Sequence, residues 1–343
     1  MHIPDGYLSP QTAAALYAAS APVWLRATQK ARALLSGRSV PLIALFAAFS
    51  FVIMMFNVPL PGGTTGHAVG AAITAIVFGP WVAVLTVSIA LVIQALFFGD
   101  GGILALGANV FNMAIVMSFV SYTLYRWLSG AAPLASRRRV IAAAIAGFIA
   151  INAAALLAAV ELGVQPILFN DGQGHALYFP YGLEISIPAM LSGHLTVAGA
   201  VEAVVTGLIF AWLQRSSPEL LAMTGVISPV ASRTVRIAWA ALVVLLILTP
   251  LGLLAPGTAW GEWGRGELQS LGLGYVPAGF DRFADIWKAP LSGYDIPVLN
   301  NPTVAYILAA LIGVALIVLV LFALGWVVER VLRRTETQTS SMG

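Results

Sequence analysis

Residues 137–163 read RRRVIAAAIAGFIAINAAALLAAVELG: three arginines, then a run whose only strongly polar members are Asn152 and Glu161. A helix needs about 20 mostly apolar residues to cross a hydrocarbon core, so this run predicts a membrane span with a cationic collar at its start. The whole chain agrees. Its 343 residues are 59% hydrophobic and 9% charged, against about 25% charged in soluble domains, and its mean hydropathy is +0.91. That is too little polar side chain to coat a water-facing surface. An all-α, polytopic helical membrane protein is expected. The net charge of +3 is too thin and scattered for a nucleic-acid surface. With no cysteine in the chain, any metal site must use nitrogen or oxygen ligands.

Apolar runs predict about nine transmembrane helices, near residues 8–25, 40–58, 67–79, 81–98, 103–127, 140–163, 187–213, 236–254 and 303–328. The third is too short to cross alone and is set off from the fourth by Gly79-Pro80. Lys and Arg gather on the cytoplasmic side of short loops. With the N-terminus outside and the C-terminus cytoplasmic, 14 of the 17 basic residues fall inside, among them Arg38, the triple Arg137 to Arg139, Arg333 and Arg334. No Lys or Arg precedes Arg26, unlike the basic start of a cleavable signal peptide, so the Met1 amine is expected to persist on the outer side. Composition shifts near residue 230. Residues 1–230 read as one membrane domain of about seven helices. Residues 231–343 read as two helices around an external loop, 255–301, which is too polar for lipid.

Two of the four histidines stand out by position. His2 follows the free amine, and His67 follows Pro61-Gly62-Gly63-Thr64-Thr65-Gly66. A histidine at the second position offers a chelate closed to internal histidines: the Met1 amine, the deprotonated His2 amide and the imidazole Nδ1, forced into one plane. His67 could supply the fourth corner. Four nitrogens in a square favour Ni(II) or Cu(II), with Co(II) accessible, over oxygen-loving Mg or Ca. The bulky His2 should protect Met1 from removal, Pro4 turns the chain away, and the glycines let loop backbone approach an ion. The plain alternative is that His2 is accidental and His67 a hydrogen-bonded structural residue.

The opening Met1-His2-Ile3-Pro4-Asp5-Gly6-Tyr7-Leu8-Ser9-Pro10 resembles the start of the CbiM/NikM family, the substrate-binding components of energy-coupling-factor (ECF) cobalt and nickel transporters. So do the run from Pro61 to His67 and Gly107-Ala108-Asn109-Val110-Phe111-Asn112-Met113. The resemblance covers roughly residues 1–215. It implies a metal held by the Met1 amine, the His2 amide and imidazole, and His67. It implies no catalytic cofactor, Ni(II) or Co(II) as cargo, and as partners a membrane coupling subunit of the CbiQ/NikQ type and cytoplasmic ATPase subunits of the CbiO/NikO type. The stretch Ala255-Pro256-Gly257-Thr258-Ala259-Trp260-Gly261-Glu262-Trp263 resembles the NikN/CbiN-like accessory component, fused here in the NikMN manner.

Other polar positions have two readings each. Thr65, in the loop leading to His67, is a candidate for a supporting role. His194 and Glu202, at membrane depth where polar groups are costly, are candidates for gating or for supporting the site, or else join helices. Asn109 and Asn112 could hold the His67 loop or simply bridge helices. His175 reads as part of a solvated turn. Small residues four apart, Ala44 with Ala48 and Ala14 with Ala18, let helices approach closely; Ala44 and Ala48 are candidates for contact with the coupling subunit, against packing within the chain. The sequence has neither G-x-x-x-x-G-K-[ST] nor H-E-x-x-H, so P-loop ATP use and zincin hydrolysis are not expected. The rival reading is a self-contained secondary transporter or channel for divalent ions, which predicts paired acids or inverted repeats at the midplane.

Overall fold

A computed structural model describes residues 1–32, 39–61, 63–221, 232–255 and 257–340. Arg38, Gly62, Pro256, the side chains of Arg333 and Arg334, and the boundary expected near residue 230 lie outside the described residues. The architecture is helical. The two short strands among the described residues, Val58–Leu60 and Thr64–Gly66, pair as an antiparallel hairpin with Val58 opposite Gly66.

A helix stands at each of the nine expected runs, and six are long and apolar enough to cross a membrane: Pro80–Phe98, Leu106–Ser129, Arg137–Leu168, Leu183–Ser216, Arg233–Leu254 and Pro302–Arg330. The other three differ for visible reasons. Pro10–Ala31, capped by the Ser9 hydroxyl on the Thr12 N–H, has 22 residues but carries Gln11, Arg26, Gln29 and Lys30. Val40–Met54 is apolar all round and has 15 residues. It is buried because Pro80–Ile93, Ser232–Leu248 and the C-terminal helix, Pro302–Ser340, pack on it. In place of the expected run at 67–79 is an eight-residue helix, Ala71–Phe78, about 12 Å long at 1.5 Å per residue. It ends where Gly79 takes φ +84 and Pro80 starts the next helix, so His67 lies before the helix in a loop.

Three helices contain π-helical turns, at Gln94–Phe98, Val110–Val116 and His194–Ala198. Such turns often mark functional regions, and here the first runs directly into the loop that carries Asp100.

The loop at 255–301 folds as a cap containing two short helices, Arg265–Ser270 and Ala278–Phe283. It lies over the N-terminal segment. The Tyr7 hydroxyl donates to the Trp263 carbonyl at 2.7 Å, and the Tyr7 ring packs against Phe280 at 4.9 Å and Phe179 at 5.5 Å. Gly6 takes φ +89, and a Cβ there would press on the Phe280 backbone, so the cap closes on this turn only because residue 6 is glycine. Farther along, Trp287 Nε1 donates to the Leu96 carbonyl at 2.8 Å, tying the cap to the end of the Pro80–Phe98 helix.

Candidate metal centre

The first three residues are buried beneath this cap, with Met1 and His2 each 4% exposed. Backbone pairing holds them there. The Asn109 side chain accepts from the Ile3 N–H at 2.8 Å and donates to the Ile3 carbonyl at 3.0 Å. That carbonyl also accepts from the Gly102 N–H at 2.9 Å. Asp5 takes the amides of Ile103, Leu104 and Ala105 at 3.0, 2.7 and 3.3 Å, the unpaired donors at the start of the Leu106–Ser129 helix, where an anion is favoured. Gly102 permits this: a Cβ would overlap the Asp5 carboxylate and backbone nitrogen.

His67 is positioned from the opposite side. Glu202, on the Leu183–Ser216 helix, accepts from the Val69 and Gly70 amides at 2.8 and 3.1 Å. It thereby caps the Ala71–Phe78 helix, while the Ser50 hydroxyl donates to the Val69 carbonyl at 2.7 Å. The loop is clamped two residues past His67. The two imidazoles meet stacked, with centroids 5.0 Å apart and planes 29° apart. Both rings are buried, and Nε2 of each lacks a partner. Buried polar atoms are normally paired. An unpartnered neutral ring nitrogen is free to give its lone pair to an electrophile.

Around the pair stands an acidic frame. His2 Nδ1 donates to Asp100 Oδ1 at 2.8 Å. Asp100 Oδ2 accepts from the Tyr294 hydroxyl at 2.5 Å and from Gln94 Nε2 at 3.2 Å. The Met1 amine lies 3.7 Å from Glu262 Oε1. Tyr294 and Glu262 both belong to the cap. Burial, the N-terminal charge and the neighbouring His2 hold His67 well below the usual histidine value, so its ring is neutral and its lone pair available. Burial pushes the Glu262 carboxyl up, partly offset by the N-terminal charge. Burial, then Asp100, pushes the Tyr294 hydroxyl well up, keeping it a donor.

The planar chelate is not formed in this arrangement. Nδ1 of His2 faces Asp100, so the chelate requires the ring to turn about χ2 and release that hydrogen bond. Among the described residues no group of three or more His, Asp or Glu side chains is arranged to hold a metal. A metal bound beside these rings would therefore draw on the amine and the backbone.

The remaining expected residues divide by contact. Thr65 is buried in the hairpin opposite Pro59 and bridges to Ala259 of the cap. His194 sits in a π turn with Nδ1 against the Met190 carbonyl at 2.8 Å and Nε2 unpartnered. Asn109 holds Ile3 instead of the His67 loop, and Asn112 donates to Glu161 at 2.7 Å, joining two helices. His175 is exposed and paired with Asp171 at 2.9 Å. Ala44 and Ala48 are fully buried within the chain, so their face is already covered by its own helices. Asp100, Gln94, Glu262 and Tyr294 were not singled out in the sequence. A lone acid between two apolar runs is the one signal for Asp100; Glu262 lies in the stretch that resembles the accessory component, and nothing local marks Tyr294.

The family model for the cobalt uptake substrate-specific transmembrane region, CbiM, matches residues 2–220. The chain belongs to the CbiM family. Beyond the CbiM region a PDGLE domain matches residues 233–330. The fused nickel transport protein NikMN of Rhodobacter capsulatus is 51% identical over 332 residues, 93% of this chain and 95% of that protein. A probable fused nickel transport protein, LarMN, of Lactiplantibacillus plantarum is 48% identical over 276 residues, 78% and 80% of the two chains. The cobalt transport protein CbiM of Geobacter sulfurreducens is 35% identical, covering 66% of this chain and 63% of that one. A crystal structure of a transition metal transporter matches with TM-score 0.59 and 55% identity over 63% of this chain and 93% of that one. The match to the CbiM region and then to PDGLE makes this a NikMN-type fusion, and the six membrane-length helices among the described residues make it a multi-pass membrane protein.

Proposed function

We propose that this chain is the metal-capturing subunit of an ATP-driven, ECF-type importer for Ni(II) or Co(II). It binds the ion at the outer face through the Met1 amine, the His2 amide and imidazole, and His67. The observation that carries this reading is the buried stack of His67, its Nε2 unpartnered, on His2 beside the N-terminal amine. The relatives named for nickel and cobalt transport support the cargo class. Nitrogen-only ligation suits these ions. Capture would exchange the pairs His2–Asp100 and Met1–Glu262 for metal bonds: the His2 ring turns and its Nδ1 gives up the proton it donates to Asp100, and the amine and amide lose theirs. Energy comes from a membrane coupling subunit and cytoplasmic ATPase subunits. Since Ala44 and Ala48 are covered, the exposed Ala14 and Ala18 offer the coupling subunit a small-residue face on the first helix.

The test is metal content of the purified full chain after growth in trace nickel, with His2→Ala, with His67→Ala, and with one residue added before Met1. Each should lose bound nickel. Stoichiometric nickel in all three would overturn the site. Uptake in vesicles lacking the ATPase subunits would instead establish a self-contained transporter.

A further inference from the structure

A second site lies on the side of the bundle. Three helices, Val40–Met54, Leu183–Ser216 and Ser232–Leu248, enclose an apolar groove of about 320 Å³ whose walls include Phe46, Phe49, Trp212, Ile237, Ala241 and Leu245. The third helix belongs to the PDGLE domain, so the groove runs along the seam between the two fused parts. It opens outward, with Ile237 45% exposed on its rim.

Helical spacing places cations at one end of it. Arg215 follows Trp212 by three positions and Arg233 precedes Ile237 by four, so each stands on the groove-bearing face of its helix. Both are exposed. The two helix ends are joined side by side, because the Ser217 hydroxyl donates to Thr234 Oγ1 at 2.9 Å and Thr234 donates to the Ser216 carbonyl at 3.2 Å. Trp212, between the apolar wall and the arginines, has the amphipathic ring that favours headgroup depth. Apolar walls, two guanidiniums at one mouth and a membrane environment match one ligand chemistry.

We propose that this groove binds an anionic phospholipid, its acyl chain between Phe46, Trp212 and Ala241 and its phosphate on Arg215 and Arg233. The lipid seals the seam between the CbiM region and the PDGLE domain.

Native mass spectrometry of the full chain with equimolar dioleoyl phosphatidylglycerol and dioleoyl phosphatidylcholine tests this. One phosphatidylglycerol should be retained, with a preference of about fivefold per arginine and so roughly thirtyfold for the pair. Arg215→Gln with Arg233→Gln should reduce that preference to near unity while leaving nickel content intact. Ala241→Phe, which fills the groove, should displace both lipids; if that variant does not fold, the exposed arginine pair alone decides. Equal retention of the two lipids by the unaltered chain, or an unchanged preference in the arginine variant, overturns the proposal. So does a photo-crosslinker at Ala241 that captures a partner polypeptide in the assembled transporter, which would make the groove a protein-docking surface.

Discussion

His2 Nδ1 and Asp100 Oδ1 are 2.8 Å apart, and this hydrogen bond occupies the nitrogen that a planar N-terminal chelate needs. Asp100 is anchored in turn by Tyr294 of the cap. His2, Asp100 and Tyr294 thus form one paired polar chain.

Proton release distinguishes the planar chelate from simple coordination by two imidazoles. Ligands must be deprotonated to bind, so nickel binding should release about two protons per ion from amine and amide, and about a third where a charged His2 gives up its Nδ1 proton. Calorimetry in buffers of different ionisation enthalpy measures this. Release of none would show that the amide stays protonated and the planar site is not made.

Acid should weaken the metal-free chain through Asp100. Burial works against its ionisation, but the charge and hydrogen bond of His2, with His67 and Tyr294 beyond, hold its carboxyl below the ordinary value of 3.8. The native state therefore keeps the carboxylate at a pH where the unfolded chain has taken up a proton. Its contribution is complete above pH 3.8 and declines as pH falls through the lower native value. Asp100→Asn should lower thermal stability at neutral pH, by roughly 1.5–3 kcal/mol for a hydrogen bond to a charged group, and should flatten the acid limb of a melting-temperature profile. An unchanged acid limb would refute the assignment.

Glu202 acts on His67 through backbone. Glu202→Ala leaves the Val69 and Gly70 amides buried without an acceptor, at a cost of about 1–3 kcal/mol each, and frees the loop carrying His67. Lower thermal stability and lower nickel occupancy are expected together. Glu202→Gln, which keeps an acceptor oxygen, should recover most of both. Loss of nickel in Glu202→Gln at full stability would instead indicate a direct role for the charge.

Gly102→Ala tests the seat of the N-terminal segment. The new methyl collides with Asp5, so the segment must shift or the Asp5 bonds to residues 103–105 must break, at about 1–3 kcal/mol for overpacking. Nickel binding should fall at least tenfold in a titration even where helix content by circular dichroism is unchanged. Binding at the original strength would mean that His2 reaches the metal without this seat.

Much of this was legible in the chain. The apolar run after Arg137 to Arg139 is a helix, as are the other expected runs, because bilayer-length apolar periodicity needs no long-range information. Ala71–Phe78 departed from its expected span because Glu202, 133 residues from Val69, caps it in the interior and lets it stay short. Asn109 and Asn112 read as holding the His67 loop or bridging helices; Asn112 bridges helices, whereas Asn109 holds the N-terminal segment. Their partners, Ile3 and Glu161, are 106 and 49 residues distant, and spacing along one helix cannot choose between them.

His2 beside a free amine and His67 after a glycine-rich turn are local chemistry, and local chemistry is readable in order along the chain. The frame around them is different in kind. Asp100, Glu262 and Tyr294 come from a short loop and from a cap more than 150 residues away, and they meet the N-terminus only because Tyr7 and Gly6 let the cap close over it. Residue order alone determined which nitrogens are offered near one another in the chain as ligands for the proposed site. Tertiary packing decided what those atoms do without a metal, since a buried hydrogen bond or ion pair depends on which distant groups the fold desolvates together.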